Sequence, residues 1–194
     1  MQAEQVSYLI VPGWNGSPEN HWQSHWYRTL PGAQRVEQQE WQWPLVQQWV
    51  AQLERDVRAL QGPVVLIAHS LGCITLARWA SRAGEEELAK VRAALLVAPA
   101  DVEREGCPQP LVNFAPVPLQ QLPFPSLLVG SDTDHAASRE RALEFAAAWG
   151  SEAVILQGVG HINVDSGHHC WEEGFAYLYR LLDKSSAVGN LRCA

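Results

Sequence analysis

With 194 residues, 47% of them hydrophobic and 18% charged, the chain has the size and balance of one packed domain, which excludes a disordered or fibrous protein. Fourteen Lys and Arg against 21 Asp and Glu leave a net charge of −7, so a phosphate backbone is repelled and nucleic acid is not an expected partner. No basic leader opens the chain, and the first apolar run, Tyr8 to Val11, is too short for a signal or membrane segment, so a soluble, cytoplasmic protein without a membrane partner is expected.

In chain order, short β-branched and leucine-rich runs alternate with longer amphipathic stretches, the pattern of repeated strand–helix units around a parallel sheet. Strands are predicted over Ser7 to Val11, Gln34 to Gln38, Val64 to Ala68, Ala93 to Val97, Ser126 to Gly130 and Ala153 to Gln157. Helices are predicted over Asn20 to Thr29, Leu45 to Leu60, Leu71 to Arg82, Ser138 to Trp149 and His168 to Asp183, and Glu85 to Glu87 read as a solvated helix start. The segment from Cys107 to Pro125 holds six of the twelve prolines and suits neither a regular helix nor a central strand. Its Leu111, Phe114, Leu119, Leu122 and Phe124 suggest a long connection that packs over the molecule, as a substrate wall or as plain surface packing. One domain over residues 1–183 and a fraying tail over 184–194 complete the outline.

Cys73, Cys107, Cys170 and Cys193 have no C-x-x-C spacing and read as free thiols, with Cys73 buried. His168-His169-Cys170 looks like a metal cluster on paper, but adjacent side chains on a helix diverge, so no metal is expected. His21, His25, Trp22 and Trp26 make an aromatic helix that reads as core.

Chemistry concentrates where the strand Val64 to Ala68 runs into His69-Ser70-Leu71-Gly72 and then into a helix. This is the strand–turn–helix of a nucleophile elbow, with Ala68 in place of the first glycine of G-x-S-x-G. A serine hydroxyl needs a base, and the base needs a carboxylate to hold its tautomer. In elbow enzymes these partners follow in the order Ser, acid, His, each on a loop beyond a later strand. Ser131-Asp132-Thr133-Asp134 follows one such strand and Gly158-Val159-Gly160-His161 follows the next. Parallel strands bring all these loops to one sheet edge. His161 is the expected base. Asp134, further into its loop, is favoured as the acid over Asp132, which is placed to organise the turn. The oxyanion of acyl transfer needs two donors, expected from the backbone N–H groups of Leu71 and Trp14, the latter in the loop Pro12 to Gly16. Neither phosphate-loop pattern is present there.

These residues, with Val11-Pro12-Gly13, His21-Trp22-Gln23-Ser24, Trp41 to Pro44, Leu122 to Pro125, Gly160 to Asn163, Ser166-Gly167 and Trp171, resemble the α/β-hydrolase superfamily. Within it the chain is similar to the small, essentially lidless serine hydrolases related to retinoblastoma-binding protein nine. The resemblance implies Ser70, Asp134 and His161 as nucleophile, acid and base, and hydrolysis of small esters without a cofactor. In relatives the acid is often followed by proline, whereas His135 stands here. Binding of the retinoblastoma protein is not implied, because the nearest match to Leu-x-Cys-x-Glu, Leu71 to Thr75, ends in threonine.

The expected architecture is a three-layer α/β/α sandwich around a mostly parallel sheet of about six strands, without a large lid. The expected function is hydrolysis of a small-molecule acyl substrate, an ester or else a thioester or amide, with Trp14 and Phe114 bordering the acyl site. The rivals are an acyltransferase and a non-catalytic interaction protein on the same scaffold.

Overall fold

The computed structural model describes residues 6–191, in which six strands form one sheet. In chain order these are β1 (Ser7–Val11), β2 (Gln34–Arg35), β3 (Val64–His69), β4 (Val91–Val97), β5 (Ser126–Ser131) and β6 (Glu152–Leu156). The order across the sheet is β2-β1-β3-β4-β5-β6, and every neighbouring pair is parallel. The chain steps outward from β1 to β2 and then returns to pair β3 on the other side of β1. That reversal puts the switch point of the sheet at the C-terminal ends of β1 and β3, the place where open α/β sheets bind ligands.

All six residues of β3 are buried, as a strand covered on both faces requires. Val64, Leu66 and Ala68 face one layer, with α2 (Val46–Ala59), α3 (Leu71–Ala80) and α5 (Arg139–Trp149). Val65 and Ile67 face the other, with α1 (Trp22–Thr29) and α6 (Gly174–Leu191). A short α4 (Glu85–Lys90) precedes β4, and its Glu87 is buried against Arg58 (2.7 Å) instead of solvated. Among the described residues no helix is long and apolar enough to cross a membrane.

Two elements, β2 and α6, differ most from the sequence expectation. β2 ends after Arg35, because Pro12 on the neighbouring chain has no N–H for the next rung. The expected helix from His168 begins only at Gly174. A 3-10 turn at Val164–Ser166, capped by the Asn163 side chain and closed by Gly167, turns the chain first, and Trp171 takes a positive φ of 47°. α6 then runs to Leu191, through most of the expected tail; residues 192–194, and with them Cys193, lie outside the described residues.

The proline-rich connection packs over the α2, α3 and α5 layer through a 3-10 helix, Gln109–Phe114. It is tied down by Arg78, which donates to the Phe114 and Pro116 carbonyls, and by the Trp149 indole, which donates to Pro118 (2.8 Å).

Candidate active site

β3 ends in a sharp turn at Ser70, whose φ of 55° lies in the left-handed region and aims its side chain off the sheet edge. The turn needs Gly72: a Cβ there would sit 2.3 Å from the Val11 carbonyl oxygen and 2.7 Å from that of Pro12. Absence of a side chain lets α3 start directly against the end of β1. Gly13 serves the same approach from the other side, since a Cβ there would lie 2.8 Å from the Ser70 Cβ.

Three chain segments meet at this turn. The Ser70 hydroxyl donates to Nε2 of His161 at 2.9 Å. Nδ1 of His161 donates to Asp134, at 2.8 Å from Oδ1 and 2.9 Å from Oδ2. Because a carboxylate only accepts, the proton sits on Nδ1 and leaves Nε2 free to take one from the serine. The Asp134 carboxylate also accepts the N–H of Ala136 (2.8 Å), which fixes its direction. Ser70 and His161 are 8% and 9% exposed, so the two reacting atoms have little contact with water.

Asp132 does not touch the imidazole. Its Oδ1 accepts the N–H of Gly158 (2.7 Å), and the neighbouring Thr133 hydroxyl accepts that of Gly160 (3.1 Å), so the acid loop holds the histidine loop in place. Leu71 opens α3, so its N–H is among the first donors of a helix, which have no intrahelical acceptor. Trp14 lies half-buried in the turn closed by Gly16 N–H to the Gly13 carbonyl (3.0 Å), and its indole is anchored on the Gln42 carbonyl (2.9 Å). Phe114 is a correction to the expected site: it is fully buried with its ring edge-on to Trp49 at 5.7 Å, because the 3-10 turn points it into the core.

Sequence reasoning gave no contact to several residues gathered beneath and beside the site. His69, the residue before the nucleophile, is buried and bonds the backbone carbonyl of His161. Gln23, fully buried, donates to the carbonyls of Val11 (3.3 Å) and Ile67 (3.1 Å) and accepts from Ser17 (2.7 Å), pinning α1 under β1 and β3. His21 caps α1, its Nδ1 accepting the Gln23 N–H (3.1 Å). Burial, with the His161 and His168 imidazoles nearby, lowers its pKa to about 4. Exposed His135 lies with its ring 5.1 Å from that of His161. The advance signals were the His21-Trp22-Gln23-Ser24 motif of the resemblance and the density of histidine and tryptophan near the two loops, neither of which assigns a contact. His168 and His169 lie before α6 and not on it, and they bond apart, one to Ser166 and the other to the Asn20 carbonyl.

Comparison with known proteins agrees with this architecture. The chain is similar to a YdeN-like hydrolase from Pectobacterium atrosepticum, with 32% identity over 93% of this chain and 92% of that one and a TM-score of 0.81. It shares its fold with the ydeN gene product of B. subtilis (19% identity, 92% of this chain and 99% of that chain, TM-score 0.72). The same holds for esterase 2 of Thermogutta terrifontis (16% identity, 92% and 82% coverage, TM-score 0.68). No curated protein matches the chain. The model of the serine hydrolase family matches residues 8–180, nearly the whole α/β-hydrolase fold described above, and the chain belongs to that family.

Proposed function

We propose that the protein hydrolyses small carboxylic esters through an acyl-enzyme on Ser70. The observation that carries this reading is the unbroken relay from the Ser70 hydroxyl to His161 Nε2 (2.9 Å) and from His161 Nδ1 to Asp134 (2.8 Å).

In the forward step Ser70 Oγ attacks the acyl carbon while His161 Nε2 takes the hydroxyl proton. Asp134 holds the ring and stabilises the imidazolium that forms. The carbonyl oxygen, now negative, is received by the N–H groups of Leu71, at the start of α3, and of Trp14, in the Gly13–Gly16 turn. As the tetrahedral intermediate collapses, His161 returns the proton to the leaving alcohol and the acyl group stays on Ser70. A water molecule, deprotonated by His161, then attacks the acyl carbon; the Ser70 Oγ–acyl bond breaks, Oγ takes the proton back from His161 Nε2, and the acid leaves. The half-buried Trp14 ring favours an apolar group on the acyl side.

Ser70→Ala is expected to lower turnover of p-nitrophenyl acetate by about 10⁵-fold with an unchanged melting temperature, and to abolish labelling by a fluorophosphonate. Turnover retained in that variant would refute the assignment. A panel of matched esters, thioesters and amides then ranks the leaving groups.

A further inference from the structure

The loop that carries His161 is bent in a way its sequence does not favour. Ile162, a β-branched residue, has a φ of +48°, in a region that branched side chains rarely occupy. Such a conformation persists only where surrounding contacts over-determine it. Two buried donors supply those contacts from below. Nε2 of His69 donates to the His161 carbonyl at 3.0 Å, across 92 residues of chain. The Trp22 indole N–H donates to the very next carbonyl, that of Ile162, at 2.8 Å across 140 residues.

The two donors support each other. The His69 ring meets the Trp22 ring edge-on at 5.9 Å and the His161 ring at 4.9 Å. A carbonyl only accepts, so His69 must carry its proton on Nε2. Burial disfavours its charged form, and the imidazoles that face it, His161, His21 and His168, act in the same direction.

We infer that His69 and Trp22 are positioning residues: a paired clamp that holds consecutive carbonyls of the histidine loop and so sets the His161 ring within hydrogen-bond reach of Ser70. His69 precedes Ser70 directly, so one backbone turn carries both the proposed nucleophile and the group that aims its base. The inference rests on the triad reading above. Misplacing a base by a fraction of an ångström slows proton transfer and leaves substrate binding nearly untouched.

Three measurements test it. Long-range proton–nitrogen correlation of the nitrogen-labelled wild-type protein reads the His69 tautomer directly. A neutral ring protonated on Nε2 from about pH 5 to 9 is expected, and a ring protonated on Nδ1, or one titrating in that range, would overturn the clamp. His69→Leu removes the donor at similar volume and is expected to lower kcat for p-nitrophenyl acetate by about 10- to 100-fold with KM within about twofold, whereas His69→Gln, whose amide N–H reaches the same carbonyl, recovers most of the loss. Trp22→Phe keeps an aromatic ring but removes the N–H donor, and is expected to lower kcat in the same way. If His69→Leu and Trp22→Phe both turn over at the wild-type rate while Ser70→Ala is inactive, the clamp is wrong and the triad stands. If Ser70→Ala remains active, the triad reading falls and the positioning role falls with it. A leucine variant too unstable to assay leaves the tautomer measurement to decide.

Discussion

Asp132 and Asp134 stand on one loop with the same functional group, and their partners give them different work. Asp134 receives the imidazole Nδ1–H and the Ala136 N–H, while Asp132 receives only the backbone of Gly158. Asp134→Asn presents an amide to the imidazole and favours the wrong tautomer, so kcat for an activated ester is expected to fall by about 10³- to 10⁴-fold with little change in melting temperature. Asp132→Asn keeps an oxygen that can accept from Gly158. Its kcat is expected to stay within about tenfold of wild type and its stability within about 1 kcal/mol, as measured by steady-state kinetics and urea unfolding. If the two variants lost equal activity, the division of labour between them would be wrong. The sequence placed both acids on the right loop and favoured Asp134, since reach along a loop is partly local. Which carboxylate accepts from Nδ1 depends on a histidine 27 residues further along the chain.

At the level of elements, the elbow was the most legible part, because the β3 run, the serine and the start of α3 are contiguous. That small residues must flank the serine is legible too, but what they must clear is not: Gly72 is required by the carbonyls of Val11 and Pro12, at the end of β1 and some sixty residues earlier. Gly72→Ala is expected to push α3 away from β1, destabilising the protein by about 3 kcal/mol in chemical unfolding and lowering labelling of Ser70 in whatever fraction folds. The boundaries that differ have tertiary and local causes together. β2 is shortened by the proline beside it in space, and α6 starts late because Asn163 and Gly167 turn the preceding segment, while the Trp26 indole holds the Cys170 carbonyl at 3.1 Å. The proline-rich stretch forms no α-helix, in line with its composition, yet its aromatic anchor, Phe114, packs into the core instead of bordering the site.

Across the whole molecule, the parallel sheet does two things at once. It brings the loops after β1, β3, β5 and β6 to one edge, and it requires the histidines beneath that edge to be buried and neutral. His21 accepts a hydrogen bond through Nδ1, which only the neutral ring can do, and its pKa drops from an ordinary 6.5 to about 4. Between these values the unfolded chain binds a proton that the folded chain does not. Stability therefore falls as the pH is lowered from 6.5 towards 4 and is level, for this group, above 6.5, with about 3 kcal/mol at stake. Buried His69 acts in the same direction. Asn retains the capping acceptor without titrating, so His21→Asn is expected to show a smaller drop in melting temperature between about pH 7 and 4.5 than wild type. An equal drop would assign the acid sensitivity to other groups. By itself the sequence determined the alternation of strands and helices, the serine at a strand-to-helix turn, and a candidate acid and histidine in the right order on later loops, because hydrophobic period and turn chemistry are local properties of a chain. Only the tertiary structure decided which aspartate meets the imidazole, that Phe114 turns inward, and that His69 and Trp22 lie under the histidine loop, because each of these contacts joins distant segments along loop paths that no local pattern encodes.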